Sequence, residues 1–214
     1  MSYHTKKTPR MDIHIEGNRG TILIKQNWQY NWLLDACSSA WTYEQKRAFH
    51  NRVDEIVWNS WGKHFFLKCT GKGAFAKTHA ATKWDVNFDI GWATATGHWK
   101  VNVTKVSGGE PSPRSNVKWR AREINLDTLD LRVNRRTRGG RTYRQRTVAH
   151  EFGHAVGNTG SLAKYHGDEY RSDSKYLADK QSMMNVGQQL RDRHLAFILD
   201  QLNTMLPGVK FSKY

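Results

Sequence analysis

Val148-Ala149-His150-Glu151-Phe152-Gly153-His154-Ala155-Val156-Gly157 is the stretch on which the reading of this chain turns. At 3.6 residues per turn, His150 and His154 stand nearly above one another, so both imidazoles reach one point from one helical face. Val148, Phe152 and Val156 occupy the opposite flank and turn the histidines away from the core. Two histidines do not complete a zinc site, because zinc takes a third protein ligand and keeps a position for water. Glu151, beside the first histidine, is placed to take a proton from such a water. Gly157 sits where the helix must stop.

Working outward, the helical period begins at residue 142, and 142–158 is assigned to an active-site helix. Upstream lie Arg132, Arg135, Arg136, Arg138, Arg141, Arg144 and Arg146. Cations are unfavourable at a helix N-terminus, where the dipole is already positive. The run over 132–146 therefore points to an anionic partner near the cleft, against the plainer reading of a solvated arginine loop around Gly139-Gly140. Further upstream the chain reads as strand. Trp84, Val86, Phe88, Ile90 and Trp92 alternate with polar residues, and after a Gly97 turn Trp99, Val101 and Val103 keep the same period. These two runs are expected to form an antiparallel pair. A loop is expected over 108–115 and a strand over 124–133. Near the N-terminus, Ile13 and Ile15, a Gly17–Gly20 turn and residues 21–24 predict a hairpin. Residues 42–61 predict a helix, with Thr42 and Gln45 as a capping box, Phe49, Val53, Ile56 and Val57 on its apolar face, and Gly62 as its stop.

Downstream, Ser182-Met183-Met184-Asn185-Val186-Gly187 reads as a compact turn. A helix is predicted over 188–205, with Leu190, Phe197, Ile198, Leu202 and Met205 on one face and Pro207 ending it. Strands and a helix come first and helices last, which makes an α+β domain of 214 residues. Its plan is an N-terminal lobe (1–141) of mixed or antiparallel sheet with a backing helix, the active-site helix, and a smaller helical C-terminal lobe (159–214).

Composition bounds the rest. Lys and Arg total 34 against 19 Asp and Glu, a formal net charge of +15, which draws in anionic partners and says nothing about fold. Cys37 and Cys69 define no disulfide framework, so one bridge or two free thiols are both open. Residues 1–16 hold no apolar core of a signal peptide, and no stretch is long and apolar enough to span a membrane. The chain is expected to be made in the cytoplasm and, if it leaves the cell, to use a specialised route.

Taken together, these residues resemble the zincin metallopeptidases, and metzincin-like members in particular. That pattern runs His-Glu-x-x-His-x-x-Gly, then a third ligand, then a turn of form Ser-x-Met, here Ser182 and Met184, with Met184 expected beneath the metal. Within the class the chain is similar to toxin-type peptidases reading His-Glu-x-Gly-His, Asp-Glu-Tyr and Ser-x-Met-Asn, carried by contractile bacterial secretion systems, type VI spike proteins among them. The resemblance covers about residues 147–200. It implies one zinc ion, a peptide or protein substrate, an exported effector, and a possible immunity or carrier protein as partner. Metzincins place a third histidine where this chain has Gly160, so the ligand must come from His166-Gly167-Asp168-Glu169-Tyr170. By resemblance Glu169 takes that place, with Asp168 and then His166 as alternatives, and the carboxylate left over orients a histidine. The tyrosine that follows the metzincin methionine is replaced by Val186, leaving Tyr170 or His194 to stabilise an oxyanion. His194 falls on the apolar face of the last helix, where a satisfied core histidine is the commoner case. Two other functions remain open: a basic nucleic-acid-binding module or nuclease, and a structural protein that keeps zinc without turnover.

Overall fold

The structure, a computed structural model, describes residues 3–107 and 114–214. It is a mixed α+β fold built on nine strands in one sheet. The first hairpin forms as its alternation predicts: β1 (Tyr3–Lys7), β2 (Asp12–Glu16) and the first part of β3 (Thr21–Leu34) are successive antiparallel neighbours. Gly20, at φ +63°, closes the turn between the last two. Helix α1 (Tyr43–Trp61) starts at the capping box of Thr42 and Gln45 and buries Phe49, Val53, Ile56, Val57 and Trp61. It backs the sheet against β5 (Trp84–Ala93). Strand β4 (Phe65–Gly71) and the short helix α2 (Ala74–Thr78) precede β5, and none of the sequence signals pointed to either.

The expected antiparallel pairing of the two tryptophan-rich runs does not occur. β5 and β6 (Trp99–Lys105) both lie parallel to β3, on opposite sides of it. β3 has 14 residues, long enough for β5 to pair with its first part and β6 with its second; the two registers share Trp28 and Gln29. Gly97 is therefore no hairpin turn. It lies against the β3 backbone, where a Cβ would come within 2.6 Å of the Asn27 carbonyl oxygen. The sheet continues through β8 (Glu123–Asp127), parallel to β6, and ends at β7 (Asn116–Lys118). The loop expected over 108–115 lies, apart from Arg114 and Ser115, outside the described residues. The strand expected over 124–133 stops at Asp127, which with Asp130 caps a 3-10 turn (Thr128–Leu131) in reciprocal fashion.

Three further corrections concern the second half. Residues 142–146 are not helical: β9 (Val133–Arg138) and β10 (Arg141–Arg146) form a separate hairpin, and α3 (Thr147–Ala155) begins only after it. The predicted 188–205 helix shrinks to a 3-10 turn (Asp192–Leu195) and α4 (Ala196–Leu202), because residue 189 is bound to the 182 turn and Arg191 to Asp179. The C-terminal part is mostly irregular rather than helical, and β11 (Val209–Lys213) returns to the sheet beside β4. The core joins sheet and helices. The rings of Trp61, Phe88 and Phe152 meet edge-on at 5.6–5.7 Å, an arrangement worth roughly 0.5–1.5 kcal/mol per pair beyond burial. Cys37 is exposed and Cys69 buried, and both are free thiols. Among the described residues no helix is long and apolar enough to cross a membrane.

Candidate metal centre

A nine-residue helix is marginal by itself, so α3 depends on its surroundings. Several of its carbonyls are met by side chains from elsewhere. Gln26, buried on β3 and held by the Trp28 indole, donates to the Ala155 carbonyl at 2.9 Å. Asn158 donates to the Gly153 carbonyl at 2.9 Å, and the Trp61 indole donates to that of Ala149 at 3.0 Å. Gly157 ends the helix at φ +112°, and any side chain there would run into the Phe197 ring. Gly153 is demanded by packing: a Cβ would meet the Met184 sulfur and come within 3.0 Å of Trp61. Met184, fully buried, thus lies directly under the histidine-bearing helix.

On the other face, His150 and His154 stand with ring centroids 4.9 Å apart. The Nδ1 of His150 is 2.8 Å from the carbonyl oxygen of Met183, and that of His154 is 2.5 Å from the carbonyl oxygen of Asn158. A carbonyl only accepts, so each Nδ1 carries the proton and each Nε2 turns a lone pair into the site. Both Nε2 atoms lie 3.1 Å from one oxygen, Oδ1 of Asp168. Three acceptors therefore converge with no donor between them, and the trio could hold a metal ion. The electrostatics point the same way. Burial opposes a charge on His154, yet Asp168 and Glu151 outweigh it and raise its affinity for a proton. Burial likewise opposes ionisation of Asp168, and the two imidazoles facing its carboxyl outweigh that too, holding it well below the usual range.

The group that could hold a metal is completed by Asp168, not by Glu169, the residue preferred from the sequence. Asp168 faces the histidines, while Glu169, 1% exposed, points away into a pair with Arg193 at 2.6 and 2.8 Å. Burial pushes its carboxyl up, but Arg193, His194 and Ser182 together pull it down to about 2. His166 is exposed, packs edge-on against Tyr176, and stands outside the trio. His194 is a core residue: Nδ1 accepts from the Arg191 amide, and Nε2 faces Ser182 and Glu169. It does not reach the cleft. Tyr170 does. Its ring stacks over His150 at 6.1 Å, and Arg114 donates to its hydroxyl. Burial and the Asp168 carboxylate raise its pKa, so it remains a neutral phenol.

Glu151 is also 6% exposed, and its Oε2 has no hydrogen-bond partner among the described residues. Such an atom is costly unless something in the cleft engages it. The cleft, about 710 Å³, is lined by Glu151, His154, Asp168 and Tyr170 on one side and by Arg114 to Val117 on the other. Compared with protein-family models, curated proteins and solved structures, the chain matches none of them. What the site can do must be read from its own atoms.

Several supporting residues carried no signal in the sequence. Gln145 on β10 donates its amide to the carbonyls of Met183 and Asn185, 3.0 Å each, steadying the turn that orients His150. The Met184 carbonyl accepts from the Glu169 amide at 2.8 Å, so the same turn fixes the segment bearing Asp168. Ser115, at the cleft rim, donates to Asp130 at 2.6 Å; burial and the nearby Asp127 push that carboxyl up to about 7. A single buried acid in a short turn gives no pattern to search for.

Proposed function

We propose that this chain is a zinc-dependent metallopeptidase that hydrolyses peptide bonds. One observation carries the proposal: both Nε2 atoms stand 3.1 Å from a single Asp168 oxygen while the unpartnered Oε2 of Glu151 borders the same cleft. Ligand atoms around a tetrahedral zinc ion stand about 3.3 Å apart, so the trio needs little adjustment to accept one. Two neutral imidazoles and a carboxylate suit zinc chemically, and the pinned Nδ1 protons are the usual partners of ligating histidines. The resemblance to zincins, read from residues 147–200, adds to this.

Bound there, zinc would polarise the scissile carbonyl and make water acidic enough to lose a proton near neutrality. Glu151 takes that proton as the water oxygen bonds to the carbonyl carbon. It then delivers the proton to the amide nitrogen as the C–N bond breaks, and the leaving amine departs neutral. Tyr170 donates toward the oxygen on which charge develops. β7 ends the sheet at the rim of this cleft, with its outer edge unpaired among the described residues. An extended peptide adding to that edge would present successive amides to Glu151. Export by a contractile secretion system is part of the same proposal.

The test compares three chains. The parent should carry one zinc ion by elemental analysis and cleave a denatured protein. His150→Ala should lose the ion. Glu151→Gln should keep it and lose about 10²–10⁴-fold in cleavage rate, the usual share of a general base. Parent and Glu151→Gln proteins that are equally inert while both hold zinc would end the peptidase reading.

A further inference from the structure

The β9–β10 hairpin is separate from the nine-stranded sheet, and it touches the centre described above through Gln145 at its base. Its turn is the two residues Gly139 and Gly140, at φ +53° and +73°. Two consecutive left-handed residues make the turn whose twist matches a two-stranded ribbon, so this segment is a defined ribbon rather than a solvated loop. Its register sets Arg138 opposite Arg141 and Arg135 opposite Arg144. Like charges directly opposed destabilise a hairpin. Among the described residues, arginine–carboxylate pairs are formed by Arg19, Arg52, Arg191 and Arg193, and none by the ribbon. Arg135, Arg138, Arg141 and Arg144 are all exposed.

We propose that this ribbon is a docking surface for a nucleic-acid duplex, seated in the major groove and against its phosphates. The cations over 132–146 are arginines without a single lysine or acid. A planar fork that grips phosphate with two parallel hydrogen bonds is what arginine adds over lysine. The major groove admits a two-stranded ribbon. Alternation along the strands puts Arg135 and Arg144 on one face and Arg138 and Arg141 on the other, so a ribbon lying in the groove presents guanidinium groups toward both flanking phosphate strands. Thr137 and Thr142, paired across the ribbon and 3.3 Å apart at their hydroxyls, add polar groups on the face of Arg135 and Arg144. A membrane surface fits less well, because the tip reads Arg-Gly-Gly-Arg and has no apolar residue to insert.

The base of the ribbon is tied down by Asn134 and Gln145, and every variant keeps both. The test measures binding of a DNA duplex of about 20 base pairs against salt, on three full-length chains. Arg135, Arg138, Arg141 and Arg144 are changed together to Gln in one. Exposed Lys68, Lys72, Lys77 and Lys210 are changed to Gln in the control, which removes the same charge elsewhere. The ribbon variant should bind at least about tenfold more weakly, and its log–log salt slope should shrink by about 3. The lysine control should stay within about twofold of the parent. Equal losses in the two variants would overturn the proposal. So would a ribbon that mattered for phosphatidylserine vesicles or polyglutamate but not for the duplex. A second measurement needs no variant: the duplex should slow amide exchange over 133–146 in the parent, and unchanged exchange there would also overturn it.

Discussion

Residues 133–146 and 147–155 are consecutive in the chain, and they are held in opposite ways. In α3 nearly every polar atom is engaged from outside. Gln26 and Asn158 meet its carbonyls, and backbone oxygens hold both Nδ1 atoms. What remains are two lone pairs and one carboxylate oxygen, all facing the cleft. In the ribbon the tertiary hydrogen bonds are confined to its base, at Asn134, Gln145 and Arg146, and beyond it four exposed guanidinium groups oppose one another in pairs. The first region spends its surroundings on precision, as a metal or a reacting group requires. The second leaves charge free over a long surface, as a repeating polyanion requires. Both are recognised by what the fold has left unsatisfied.

The sharpest way to break the ordered half is to strike it from a distance. Arg193 pairs with Glu169 at 2.6 and 2.8 Å and with Asp179 at 2.7 Å. Arg193→Met leaves Glu169 buried without its cation, which should cost about 3–5 kcal/mol in urea unfolding. Because Glu169 is next to Asp168, zinc affinity should fall as well. Loss of stability with metal affinity intact would show that the ion-pair network supports the fold only. The next effect is smaller. Gln145→Leu removes the amide that steadies the Met183 and Asn185 carbonyls and should weaken zinc about 10–100-fold in a chelator competition. An unchanged affinity would mean that the Met183 carbonyl orients His150 unaided.

The two halves also differed in how far they could be read beforehand. His150, Glu151 and His154 were legible because their relation is helical and local; four residues of spacing suffice. Asp168 was not. It and Glu169 are chemically interchangeable on paper, and the choice rests on where Arg193 lies, 24 residues away. The capping box of α1 was legible for the same local reason, and the hairpin at residues 12–25 followed from its alternation. The pairing of β5 and β6 was not, since a strand with period-two alternation suits any neighbour, and Gly97 signals a tight approach as readily as a turn. Residues 142–146 read as the start of a helix and Gly139-Gly140 as a loop, although that is the kind of dipeptide that closes a hairpin. Short polar strands carry no apolar period, and only the turn chemistry marked this one.

The smallest effect bears on the loose half. Since the ribbon rests on its turn rather than on packing, Gly140→Ala tests it directly. A Cβ there meets nothing within 4 Å, so the penalty is purely that of the left-handed backbone at φ +73°. That penalty is about 1–2 kcal/mol for a residue with a side chain. Because few tertiary contacts depend on the tip, the loss should show as faster amide exchange over 133–146 with the global unfolding midpoint nearly unchanged. Zinc binding should be unaffected, and duplex binding should weaken, because a ribbon that must first be ordered has less of its charge in register. A change in global stability as large as the local one would mean that the ribbon and the metal helix fold as one unit, and the contrast between them would be lost.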